Sequence, residues 1–390
     1  MVKPFQFAAL PLIFFGPGTI SAIPGHIRRY GKSVLLITGK SSFTMSDKGR
    51  SILSLLKQEG LDIDLYPVPG EPSPEMVDGA IERYSDKKHT VIAAIGGGSV
   101  LDAGKAISAM MPVRAAVKDY LEGVGSKEHP GNKIPFIAVP TTSGTGSEAT
   151  KNAVLSSVGK DGFKKSLRHD NFVPDIAVID PELTLSCPPG LTAASGMDCF
   201  TQLVEAYLSD KSNDFTDVLA LRAIARLASS LKIAFEDGTD IEARTALSFA
   251  ALTSGICLAN AGLGAVHGFA SSIGAMYNIP HGVVCGTLMA PANEINVREL
   301  RRSGSNLAAL AKYATLGKIF NLDISKSDEY FADFFIDVLY RLTDDLKLPG
   351  LRKFGMKKSD VDKIAEMTEN KNNPVKLSPE NLKEILLKRI

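Results

Sequence analysis

The sequence predicts an α/β domain followed by an all-helical domain, and three observations carry that reading. Short β-branched runs alternate with amphipathic segments through the first half, as right-handed βαβ units around a mostly parallel sheet require. After Pro188 and Pro189 the texture changes, and from about Thr192 onward long apolar stretches recur at helical spacing without strand patterns. Glycine- and hydroxyl-rich loops follow two of the predicted strands, where open parallel sheets bind ligands. A length of 390 residues suits two domains with sizeable cores, set at 1–189 and 190–390.

The elements follow in order. Phe7 to Phe15 is apolar but short and contains Pro11, so it reads as a buried strand or loop rather than a signal peptide. Val34 to Thr38, Leu61 to Tyr66, Val91 to Ile95, Phe136 to Val139 and Ile176 to Ile179 read as strands. Arg50 to Glu59 and Met76 to Tyr84 read as helices between them. In the second half, Phe215 to Phe235 carries Val218, Leu219, Leu221, Ile224, Leu227 and Leu231 on a helical stripe. Asn373-Pro374 reads as a break, and Ser378-Pro379-Glu380 as the start of a capped terminal helix.

Composition narrows the function. The net charge is +1 and no long block of one sign occurs, so neither nucleic acid nor an anionic membrane is an expected partner. Thr245 to Asn293 is long enough to span a bilayer, yet Ser248, Thr253, Ser254, Asn260, His267, Ser271 and Asn278 would be unsatisfied in hydrocarbon. A buried helical core that carries a site is expected there. Cys187, Cys199, Cys257 and Cys285 show no CxxC spacing and read as small core residues in a reducing, cytoplasmic setting.

Three constellations carry chemistry. Gly96-Gly97-Gly98-Ser99 follows a strand and opens a helical pattern through Asp102 and Lys105. A glycine turn at a helix N-terminus presents free N–H groups to a pyrophosphate, in the manner of a Rossmann-like domain; a tight turn without ligand is the alternative. Pro140-Thr141-Thr142-Ser143-Gly144-Thr145-Gly146-Ser147-Glu148 follows another strand and adds hydroxyls at the same sheet edge. The third joins Asp198 and Gln202, four apart on one helix, with His267 and His281, which Pro280 places on separate elements. Two imidazoles, a carboxylate and a weaker fourth donor suit Fe(II) or Zn(II) as a Lewis acid, whereas hydrogen-bonded core histidines are the competing reading.

With these motifs in hand, the sequence resembles the iron-containing (group III) alcohol dehydrogenases, relatives of lactaldehyde reductase and 1,3-propanediol dehydrogenase. The match runs through Gly70-Glu71-Pro72-Ser73, the two loops above, Asp180-Pro181, Asn260 to Gly264, Pro280-His281-Gly282 and Asn373-Pro374. The resemblance implies a dehydroquinate synthase-like fold and hydride exchange between NAD(P) and a small alcohol or aldehyde. The cofactor-binding domain and the helical metal-binding domain would flank a cleft, in a homodimer or higher homo-oligomer. It places Gly97, Gly98, Ser99 and Asp102 at the pyrophosphate. Thr141, Thr142, Thr145, Thr150 and Lys164 would lie along the cofactor, and Asp198, His267 and His281 on the metal.

The chain departs from the family pattern where Gln202 replaces a histidine ligand, Ser271 a histidine beside the substrate, and Leu258 an aromatic residue. Ser271 therefore stands as the candidate hydroxyl for proton transfer, beside Asp198, His267 and His281 in the catalytic set. At the end of the second strand, Thr38-Gly39-Lys40-Ser41-Ser42 lacks the aspartate that binds a ribose hydroxyl in NAD-preferring members. Gly39, Lys40 and Ser41 then favour NADP over NAD. The rivals are a metal-independent reductase resembling maleylacetate reductase and a degenerate nucleotide-binding non-enzyme. A phosphorylated-sugar lyase like dehydroquinate synthase would call for a cluster of Lys and Arg, and the stretch Asn260 to Gly286 offers none.

Overall fold

The computed structural model describes residues 4–159, 162–321, 323 and 325–390. It divides into two compact units. Ala8–Ser157 with Lys164–Ser186 form an α/β unit, and Cys187–Ile390 form a helical unit to which residues 4–7 and the described part of 158–163 also belong. The chain thus enters the helical unit at Cys187, against an expected 190, and short excursions from the first half join it as well.

The α/β unit carries β1 (Leu12–Phe15), β2 (Ser33–Gly39), β3 (Asp62–Val68), β4 (Val91–Gly96), β5 (Phe136–Pro140), β6 (Asn152–Ser157), β7 (Phe163–Arg168) and β8 (Ile176–Ile179). Six strands form one sheet in the order β3-β2-β4-β5-β8-β1, parallel at every pairing. Every residue of β4 and β5 is buried. Because successive side chains point to opposite faces, both faces of the central sheet are covered, which explains why these strands read as continuous apolar runs. The chain order steps outward from β2 to β3 and then returns to place β4 on the other side of β2. This is the flavodoxin-like version of a doubly wound sheet, and its switch point lies between the carboxyl ends of β2 and β4. Helices α1 (Ile23–Arg28), α2 (Asp47–Gln58), α3 (Pro74–Tyr84) and α4 (Gly98–Met110) fall between strands. Ser46 and Ser73 cap α2 and α3 by accepting the N–H of Gly49 and Met76.

Two expectations need correction. β1 is an edge strand whose Leu12 is 49% exposed, not a buried one, because it pairs only with β8. The pair β6 and β7, short and mixed in polarity, has no counterpart among the strands read from sequence.

The helical unit contains α5 (Pro189–Leu208), α6 (Asp214–Glu236), α7 (Ile241–Ala261), α8 (Ala265–Met276), α9 (His281–Ser303), α10 (Leu307–Ile319), α11 (Asp328–Asp345), α12 (Val361–Met367) and α13 (Pro379–Leu387). Every residue of α5 from Gly196 to Leu208 is buried, so this helix is the axis of the unit. Among the described residues no single helix is long and apolar enough to cross a membrane; α7 and α8 pass that test only as a pair bent by 98°. Ser378 and Asn381 form the expected capping box of α13.

Candidate metal centre and dinucleotide loops

Three helices of the helical unit converge on one point. α5 supplies Asp198, the first turn of α8 supplies His267, and His281 opens α9 after Pro280. The close approach of α9 to α5 requires Gly282: a Cβ there would lie 2.3 Å from the Ala194 carbonyl oxygen. Asp198 Oδ1 lies 3.3 Å from His267 Nε2 and 3.6 Å from His281 Nε2. A fourth donor completes the group. Cys285, one turn beyond His281 on α9, places Sγ 3.7 Å from His267 Nε2 and 3.6 Å from His281 Nε2. The ligand atoms of Asp198, His267, His281 and Cys285 all lie within 4.8 Å of one another.

Burial works against charging Asp198, but the two imidazoles and the Cys285 thiol outweigh it and hold the carboxyl down to about 2. Burial pushes the Cys285 thiol up to about 12, so it keeps its proton until a cation displaces it. His267 is oriented from behind. Its Nδ1 donates to Glu205 Oε2 at 2.6 Å, and the other oxygen of Glu205 accepts the Val266 N–H at 2.7 Å. That fixes the ring and turns Nε2 toward Asp198 and Cys285. Although burial opposes the charge, Cys285, Asp198 and Glu205 hold the imidazole well above its ordinary value, so Nε2 carries a proton that a bound cation would replace. Two imidazoles, a carboxylate and a thiol converging in a buried pocket fit a divalent transition metal.

Gln202, expected as a ligand, is buried on α5, and its Oε1 accepts a hydrogen bond from Ser254 Oγ at 3.1 Å. Ser271 is exposed on α8, its hydroxyl donating to the His267 carbonyl at 3.1 Å. Sequence reasoning missed Glu205, and it read Cys285 as a small core residue, which its burial bears out, without placing its thiol beside the two imidazoles. Both carried a signal: Asp198 and Glu205 are seven apart and share a helix face, and His281 and Cys285 are four apart.

In the α/β unit, the carboxyl ends of β2, β4 and β5 carry the expected loops. Gly97, Gly98 and Ser99 are partly exposed at the uncapped N-terminus of α4. A Cβ on Gly98 would meet Thr145 at 2.6 Å, so the glycine turn and the hydroxyl loop abut. Thr141 and Thr142 remain accessible beside them, while Gly39, Lys40 and Ser41 follow β2 across the switch point. These features fit a dinucleotide phosphate on free N–H groups.

Asp102, Thr150 and Lys164, expected along the cofactor, make contacts within the unit, as do their neighbours Lys105 and Glu148. Asp102 accepts Ser147 Oγ at 2.5 Å and the Val154 N–H at 3.1 Å. The fully buried Lys105 donates to the Ser147 carbonyl, Ser147 Oγ, Thr150 Oγ1 and the Asn152 carbonyl at 2.8 to 3.1 Å. Lys164 on β7 pairs with Glu71, Nζ to Oε1 at 2.7 Å, and Glu71 also accepts Ser156 Oγ. Glu148 is buried within the hydroxyl loop, and its burial pushes the carboxyl up to about 7.

A doubly wound sheet with phosphate loops at its switch point, followed by a helical unit with a metal-binding cluster, defines a nucleotide- and metal-dependent oxidoreductase. Two family models cover nearly the whole chain: "Iron-containing alcohol dehydrogenase" over residues 11–181 and "Fe-containing alcohol dehydrogenase family, C-terminal" over residues 192–390. Alcohol dehydrogenase 4 of Saccharomyces cerevisiae is 30% identical over 97% of this chain and 96% of its own length. The 1,3-propanediol dehydrogenase of Citrobacter freundii is 32% identical over 95% of this chain and 93% of its own. The solved alcohol dehydrogenase from Oenococcus oeni superposes with a TM-score of 0.88 at 32% identity, covering 99% of this chain and all of that one. The chain belongs to the iron-containing alcohol dehydrogenase family: it is a metal-dependent NAD(P)(H) oxidoreductase that interconverts an alcohol with an aldehyde or ketone.

Two tests follow from this geometry. Glu205→Gln keeps the shape but removes the charge behind His267, and it should weaken metal binding by about 10–100-fold, read by chelator competition. An unchanged affinity would separate Glu205 from the centre. For Glu148 the folded carboxyl sits above its ordinary value of 4.5, at about 7. The fold therefore favours the protonated form, and this contribution to stability is present in acid and lost as pH rises from about 4.5 to about 7. The urea midpoint of the wild type should drop across that window relative to Glu148→Gln, and parallel pH profiles would contradict the burial argument.

Proposed function

We propose that this enzyme prefers NADP(H), and that it acts on a small alcohol or aldehyde held at Asp198, His267 and His281. The observation that carries the reaction site is the convergence of these three side chains from three helices on donor distances of 3.3 to 3.6 Å. A divalent cation held there would supply Lewis-acid chemistry at the substrate oxygen as alkoxide charge develops, and a nicotinamide cofactor would supply hydride exchange with the substrate carbon.

The protein's own groups do the positioning. Asp198, His267 and His281 hold the cation, and Glu205 keeps His267 in the tautomer that can bind it. Gly97, Gly98 and Ser99 offer N–H groups to the pyrophosphate, and Thr141 and Thr142 border the same edge. Ser271, exposed one turn past His267, is the hydroxyl available to pass a proton to solvent. Intact metal donors favour this reading over a metal-independent reductase.

The cofactor preference rests on the end of β2. No carboxylate stands at Gly39 to repel a 2′-phosphate, and Lys40, Ser41 and Ser42 are exposed next to it. A Cβ on Gly39 would press only on Ser42 Oγ, at 3.2 Å, so a side chain there requires that hydroxyl to turn aside. Oxidation of NADPH against a panel of aldehydes should exceed that of NADH by about tenfold or more in kcat/KM, and Gly39→Asp should reverse the order. Removing metal should abolish turnover, and its return should restore it. Faster turnover with NADH in the wild type would overturn the cofactor assignment; undiminished turnover of metal-free protein would overturn the metal-dependent one.

A further inference from the structure

We propose that Cys285, and not Gln202, is the fourth protein ligand of the metal centre, giving an Asp198, His267, His281 and Cys285 set that selects Zn(II) over Fe(II). The inference rests on the metal-dependent reading above and refines it.

Donor spacing is the first support. A tetrahedral zinc site with bonds of roughly 2.0–2.3 Å has donor-to-donor edges of about 3.3–3.8 Å. Four of the six edges of this cluster are 3.3 Å and 3.6 Å from Asp198 Oδ1 to the two imidazoles, and 3.7 Å and 3.6 Å from Cys285 Sγ to the same nitrogens. The side chains are thus already gathered at coordination distances. The second support is what Cys285 faces. Cys257, another buried cysteine, meets a backbone carbonyl, Thr216 O at 3.7 Å, as a core thiol does. Cys285 instead meets two imidazole nitrogens. Third, the amide oxygen of Gln202 already accepts from Ser254, and a neutral amide is the poorest donor of the group.

Charge agrees with this choice. On binding, the Cys285 thiol releases its proton to solvent, so that thiolate and Asp198 together bring two negative charges to a dication in a buried site. With Gln202 in its place one positive charge would remain uncancelled by the ligands. A thiolate donor in a compact set with nitrogen and oxygen favours zinc, which is borderline-soft and has no geometric demand of its own.

The test uses the full-length protein and the metal ion alone. Metal-stripped wild type titrated with Co(II) should develop a thiolate-to-Co(II) charge-transfer band in the near ultraviolet together with visible d–d bands. Cys285→Ser should lose the first, and its zinc affinity should drop by more than about tenfold, since loss of even an outer partner costs that much. Gln202→Leu should keep both. X-ray absorption of zinc-loaded wild type supplies a measurement that needs no variant, with one sulfur expected at about 2.3 Å. Zinc should also displace Fe(II) when both are supplied at equal concentration. Stoichiometric Co(II) binding without a thiolate band, or loss of binding in Gln202→Leu but not in Cys285→Ser, would overturn the Cys285 assignment while leaving the metal centre standing. Failure of the wild type to bind Co(II) or zinc at all would sink the metal-dependent reading itself.

Discussion

Two carboxylates on one buried helix govern the helical unit. Asp198 and Glu205 lie two turns apart on α5, in a stretch where every residue is buried. An uncompensated carboxylate in such surroundings costs several kcal/mol, so each must meet a partner. Glu205 meets the first turn of α8 and accepts both the Val266 N–H and the His267 ring N–H. One side chain therefore settles where α8 begins, how its dipole is satisfied, and which nitrogen of His267 is left for a cation. Asp198 reaches α9 through a side chain alone, lying 3.6 Å from Nε2 of His281, the first residue of that helix.

The α/β unit solves the inverse problem with a buried cation. Lys105 hangs from α4, and three oxygens of the loop after β5 and the first carbonyl of β6 close around it. Asp102 holds the same loop through Ser147. The glycine turn and the hydroxyl loop are thereby fixed to one helix, and their backbone is ordered before any nucleotide arrives. Preorganised N–H groups lose less entropy on binding a pyrophosphate than a mobile loop would. Burial of the charges is the cost of that rigidity, visible in the raised carboxyl of Glu148.

Much of this was legible in the residues, and the reasons for the exceptions are physical. β2, β4, β5 and β8 are apolar runs bounded by turn residues, and they fall within a residue or so of their expected ends. β6 and β7 escape notice because their partly exposed, mixed residues carry no clear alternation. Asp198, His267 and His281 announced themselves by residue type. Cys285 did not, since a cysteine among Val283, Val284 and Gly286 has the composition of a core position, and only its distance of four from His281 hints otherwise. Asp102 and Thr150 read as ligand contacts because polar side chains near a phosphate loop look alike in sequence, whether they face the ligand or hold the loop. No pattern in sequence reveals that Lys105 points inward.

The pairing of β1 has a consequence for how the chain folds. Leu12 is in register with Ile176, and Phe15 with Ile179, so the sheet is completed only by joining strands 164 residues apart in sequence. Residues just upstream depend on a still more distant partner, since Phe5 stacks on Phe215 of the helical unit and Phe7 meets the same ring edge-on. Pairings of such sequence separation are slow to form, and until β1 docks the apolar edge of β8 stays open to mispairing.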